Sequence, residues 1–127
     1  MTSEFKILAW YGLVMMITII IQATMARGQV GDRALLGSRE DMPRLTGLAF
    51  RLDRAQNNNT TAMALFAPAV LLLGETGGGA GTLLAAQIFL AARVAYVIAY
   101  AADISVVRTL IWFAGFGSTA WLYWQSV

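Results

Sequence analysis

The sequence predicts an all-α membrane protein, a bundle of four transmembrane helices forming one domain over residues 1–127. Three observations carry that prediction. Hydrophobic residues make up 58% of the chain and charged residues 13%, about half the charged share of an average soluble domain. Segments at about 7–25, 49–73, 82–100 and 106–124 are long enough to cross a hydrocarbon core of about 30 Å as helices. The stretches between them are an arginine-rich connector, a glycine-rich turn and a short connector holding Asp103. The same composition excludes a disordered chain. A net charge of +2 without a basic run argues against a nucleic-acid partner. The chain has no Cys and no His, which removes disulfides, zinc sites and Cys or His nucleophiles and leaves no metal centre to expect.

Ile7–Met25 is an apolar run broken only by Gln22 and threonines. A cleaved signal peptide would carry its positive charge ahead of the run; here Arg27 and Arg33 follow it, so the run reads as a retained helix. Residues 26–47 read as a polar connector. Asp41-Met-Pro43 reads as a helix start, with Asp41 as N-cap and proline in the first turn. The second helix is then expected from about Arg44 to Leu73, kinked where Pro68 removes the bond to the Ala64 carbonyl. Its apolar part, Ala62–Leu73, gives only about 18 Å of helix, so a spanning helix must also draw in the polar stretch Arg51–Thr61. The Gly74–Gly81 turn lacks the lysine of a phosphate-binding loop and reads as a hairpin between helices. Thr82–Tyr100 carries Gln87 and Arg93 inside it. Val106–Trp124 carries Arg108 in its first turn and ends in Trp121, Tyr123 and Trp124, the pattern of an interfacial aromatic belt. Arginines crowd the first and third connectors, which places these in the cytoplasm and both termini outside, with Lys6 the one cation against it.

In that topology the polar start of the second helix and the end of the third share one leaflet. Arg51, Arg54, Asn58 and Thr61 follow one helical face, as do Arg93, Tyr96 and Tyr100. Arg108 enters at the same depth. Arginine forks suit carboxylates, and few acids lie nearby, so an anionic small molecule is the expected partner. Simpler roles stay open for each residue. Arg51 and Arg54 can snorkel to lipid phosphates, and Asn57, Asn58 and Asn59 can bond between helices. Tyr96 and Tyr100 can be belt residues, Arg108 a topology charge, and Arg93 half of an ion pair with Asp53 or Asp103.

These residues resemble the MAPEG family, membrane-associated proteins in eicosanoid and glutathione metabolism. Arg54-Ala-Gln-Asn-Asn58 matches the family's Arg-Ala-x-x-Asn signature, and Arg39-Glu-Asp-Met-Pro43 with Gly47 looks like bacterial members. Arg93-x-x-Tyr96-x-x-x-Tyr100 and Arg108 follow in order. The resemblance implies a homotrimer in a bacterial inner membrane that takes glutathione as co-substrate between subunits, and a small lipophilic substrate from the bilayer. Arg51, Arg54, Asn58, Thr61, Arg93, Tyr96 and Tyr100 would hold the tripeptide, with Gln56 and Arg33 reaching in from a neighbouring subunit. Arg108 would be the catalytic residue, stabilising the thiolate for glutathione transfer or peroxide reduction. Two departures stand out. Thr61 and Ala64 replace the usual Glu and Pro of Asn-x-x-Glu-x-x-Pro, which removes the carboxylate that would pair with the glutathione amine. Arg108 falls one position later than in leukotriene synthases. The alternatives are a non-catalytic trimer binding glutathione or an anionic lipid, and a small transporter subunit. The transporter is disfavoured because the polar residues occupy only one leaflet.

Overall fold

The computed structural model describes residues 2–40, 42–79 and 81–127, and these form four helices. They are α1 (Ser3–Leu36), α2 (Gly47–Thr76), α3 (Thr82–Ala101) and α4 (Ser105–Ser126). α1 and α3 are long and apolar enough to cross a membrane. α2 and α4 fall short of that measure, since the polar stretch Arg51–Thr61 occupies over a third of α2, while Ser, Gly and aromatic residues dilute α4.

Adjacent helices run in opposite directions. At one end Thr82 donates to the Glu4 carboxylate at 3.3 Å, and Phe5 lies so close to Gly74 that an added Cβ there would sit 2.6 Å from its ring. At the other end the Gln29 amide clamps Thr46, and Arg51 reaches the Ala101 carbonyl. α2 and α3 form the central pair. α1 and α4 pack on either side of it and do not touch each other among the described residues. The core is aromatic: Phe66 and Phe89 stack at 3.8 Å, and Tyr11 meets both edge-on. The outward face of α1, with Trp10, Leu13, Met16, Ile17 and Ile20, is exposed. A helix bare on its most apolar side suits lipid or another protomer rather than water.

Two boundaries differ from the sequence expectation. The first helix does not stop at Met25 but continues to Leu36, with one break at Gly31, whose φ of 83° only glycine adopts easily. Much of the expected connector is therefore helical. The second helix begins at Gly47, not near Arg44, so Pro43 lies ahead of it rather than in its first turn. Asp41, the expected cap, lies outside the described residues. The physical reason is the Gln29 side chain: its Oε1 accepts from the Thr46 N–H at 3.0 Å and its Nε2 donates to the Thr46 carbonyl at 2.8 Å. That amide holds Thr46 extended and sets the helix start from a distance. Past Thr76, Gly77 and Gly78 take left-handed φ of 86° and 77°, closing the turn that the glycine run predicts. α2 continues through Pro68, and Tyr123 donates to the Leu65 carbonyl at 2.6 Å, tying α4 to the same turn.

Candidate functional site

Arg93 is the residue the bundle is built around. It sits in the middle of α3, about 12 Å from its C-terminal end, and is 2% exposed. Its Nε donates to Asn59 Oδ1 at 3.0 Å, and its Nη2 to Asn59 Oδ1 at 2.7 Å and Asn58 Oδ1 at 2.9 Å. The Tyr11 hydroxyl donates to the same Asn59 oxygen at 2.9 Å. The guanidinium also lies 4.2 Å from the Tyr96 ring centroid. A buried cation is thus held by two neutral amides and a π face. The alternative role of Arg93, an ion pair with Asp53 or Asp103, is not what the described residues show. Among the described residues the one ion pair is Arg27–Asp32, on the exposed end of α1. Consecutive helical residues point about 100° apart, so the long Arg93 side chain bridges two bearings, the buried Asn59 and the half-buried Asn58. Asn59 Nδ2 is left buried without a partner.

Beside this layer lies a cavity of about 220 Å³ lined by Arg54, Asn57, Asn58, Thr61, Tyr96 and Tyr100. α2 and α3 each contribute one face of it, as the periodicity of both stripes requires. Because Arg93 occupies the Asn58 oxygen, the Asn58 amide N–H groups remain for a ligand. Tyr96 and Tyr100 meet edge-on at 5.7 Å, and the Arg108 guanidinium covers Tyr100 at 4.2 Å. Arg51 spends its Nε on the Ala101 carbonyl at 3.1 Å, next to the cavity. A second cavity, about 230 Å³ and largely apolar, lies between α2, α3 and α4 against Phe89, Trp112 and Phe116. The two share Asn58 and Thr61, and Arg93 lines the apolar one. A polar hollow therefore adjoins a largely apolar one at Asn58 and Thr61, with the buried Arg93 on the wall of the apolar one.

The structure brings Arg54, Asn58, Thr61, Tyr96 and Tyr100 into one cavity, with Arg93 bonded to its wall. Arg108 and Arg51 line neither cavity, and Arg108 stands one ring away. Gln56 also lines neither, and its Oε1 is buried without a partner. Arg33 lies beyond the Gly31 break, exposed beside Gly37, Ser38 and Arg39. Sequence reasoning passed over Tyr11 and gave Asn59 no distinct place. The available signal for Tyr11 was a single phenol deep in an apolar run, which needs a buried partner.

No curated protein matches the chain, and no solved structure does. The model of the MAPEG family matches residues 7–127, nearly the whole length. At a coarse level this supports a glutathione-related transferase or peroxidase of membranes. The four-helix architecture, the apolar outer faces and that match agree: the chain belongs to the MAPEG family, whose members are helical bundles in membranes.

Proposed function

We propose that this protein is a membrane-bound, glutathione-dependent transferase or peroxidase acting on lipophilic electrophiles, working as a homotrimer that crosses the inner membrane four times. The supporting observation is the junction of the two cavities at Asn58 and Thr61, with Arg93 on the wall. Arg54 and the Asn58 amide offer donors to the carboxylates of glutathione, and Tyr96 and Tyr100 offer hydroxyls. The thiol then points toward the apolar cavity, where the second substrate enters from the bilayer. Fixed cations near the sulfur favour the thiolate over the thiol. Arg108, stacked on Tyr100, supplies that charge once the ligand fills the space beside the ring. The thiolate forms a C–S bond with an electrophilic carbon as that carbon's bond to its leaving group breaks, the leaving group departs with the electron pair, and the thiol proton passes to water. With a peroxide, two glutathiones become the disulfide while the peroxide becomes an alcohol and water. Gln56 and Arg33 complete the site from the neighbouring protomer.

The test is thiolate absorbance on adding glutathione to detergent-purified protein at neutral pH. The reading expects a rise that Arg108→Ala removes while binding persists. A second reading, glutathione binding without turnover, is favoured by one observation: Arg108 lines neither cavity. Binding without thiolate absorbance in the unmodified protein would decide for it.

A further inference from the structure

The polar cavity has an unusual charge balance for a site meant to take a zwitterion. Its walls are one guanidinium, two amides, one hydroxyl and two phenols, with no carboxylate among them. The Thr61 hydroxyl donates back to the Asn57 carbonyl at 3.5 Å, a long bond within its own helix, and brings no negative charge to the wall. The cations around the cavity are not neutralised from within either. Arg93 bonds amide oxygens, Arg51 a backbone carbonyl, and Arg108 covers a ring. Asp53 and Asp103 form no ion pair among the described residues. A carboxylate or phosphate entering here is stabilised at every wall. An ammonium is left beside the Arg54 guanidinium with no carboxylate in the lining, where like charge disfavours it.

We infer that the ligand of this cavity is a polyanionic thiol without a free ammonium group, such as a thiol peptide whose amine is acylated or a thiol bearing phosphate groups. The inference rests on the reading of this cavity as a thiol site and narrows it. Glutathione still binds and reacts, as the proposed function requires, but less tightly, its two carboxylates satisfied and its ammonium unpaired. The acylated amine costs nothing here, because an amide N–H finds the Asn57 or Thr61 oxygens as acceptors.

The experiment is calorimetric binding of glutathione and N-acetylglutathione to the full-length protein in detergent, at neutral pH and fixed salt. The inference expects N-acetylglutathione to bind about tenfold more tightly, the scale of one charge-assisted contact. Thr61→Glu, at an exposed position where folding is not at stake, should invert the order by supplying a carboxylate for the amine. Tighter binding of glutathione by the unmodified protein would overturn the inference and leave the thiol site standing. An order unchanged in Thr61→Glu would overturn it too, since the amine is then held elsewhere. Binding of neither thiol would overturn both readings.

Discussion

A single arginine decides how the interior is wired. Placing Arg93 in the middle of a spanning helix costs about 2.5–3.5 kcal/mol on an insertion scale, and three hydrogen bonds to two amide oxygens with a tyrosine face offset it. Most of that rests on Asn59, whose single Oδ1 accepts from Arg93 twice and from Tyr11 once. Asn59→Ala removes two of the three hydrogen bonds of Arg93, leaving the one to Asn58, and leaves the Tyr11 hydroxyl only the backbone carbonyl of residue 59, 3.2 Å away, a loss of about 1–3 kcal/mol. It should lower the thermal unfolding midpoint in detergent and release Arg93 from its fixed rotamer. Asn59→Asp makes the opposite prediction. The second oxygen replaces an N–H that has no partner, and the carboxylate gives Arg93 the counterion it lacks. The midpoint should rise, and anion binding at the adjoining cavity should weaken as its local positive charge is cancelled. Equal midpoints for the two variants would show that Asn59 does not hold the arginine.

The helices themselves were legible where apolar runs met a clear stop, and less so where a distant side chain set the boundary. α3 and α4 lie within a residue or two of the expected segments because Gly81 and the Asp103 turn punctuate them locally; Asp103 takes a left-handed φ of 60° there. α2 begins later than Asp41-Met-Pro43 suggests, because its first ordered turn is fixed by Gln29, 17 residues earlier. The site divides the same way. The two stripes were readable, since helical period alone puts Arg54, Asn58 and Thr61, or Arg93, Tyr96 and Tyr100, on one face. The acceptors of Arg93 were not, because choosing Asn59 over Asp53 depends on how α2 rotates against α3 and on Tyr11, 48 residues away. Gln29→Ala tests the clamp. With both Thr46 bonds gone, residues 37–46 should become more susceptible to limited proteolysis and exchange amide hydrogens faster, while α3 and α4 keep their protection. An unchanged cleavage rate would mean that the connector is held by something else. Gly115 tests how the elements frame the apolar cavity. It lies against Arg93 Cδ at the distance of ordinary contact, 3.5 Å from an added Cβ. Gly115→Ala should be tolerated. Gly115→Leu should fill the cavity and reduce conjugation of bulky apolar electrophiles, with little change in thiol binding.

At the scale of the whole molecule the two ends of the bundle differ in charge. Arg27, Arg33, Arg39, Arg44, Arg51, Arg54 and Arg108 belong to the end where α1 meets α2 and α3 meets α4 and outnumber the acids there, which include Asp32, Glu40, Asp53 and Asp103, whereas the opposite end carries Glu4, Lys6 and Glu75. Thr2 and Val127 both lie at that second end, because the helices alternate in direction. Arginine-rich short connectors stay in the cytoplasm, so the expected orientation has Thr2 and Val127 outside and the polar cavity close to the cytoplasmic surface. Chemistry favours the same arrangement. A thiol-dependent site needs its co-substrate reduced, and the cytoplasm keeps thiols reduced where exported compartments do not. A reporter fused after Val127 reads this directly in bacterial cells. An alkaline phosphatase, active only after export, should be active there, and a fluorescent protein that matures only in the cytoplasm should stay dark. Fused between Ser38 and Glu40, the two reporters should exchange behaviour. The reverse pattern would turn the cavity toward the outside. Replacing Arg33, Arg39 and Arg44 with neutral residues should weaken the preference and yield both orientations, because in the expected orientation these charges outweigh Lys6.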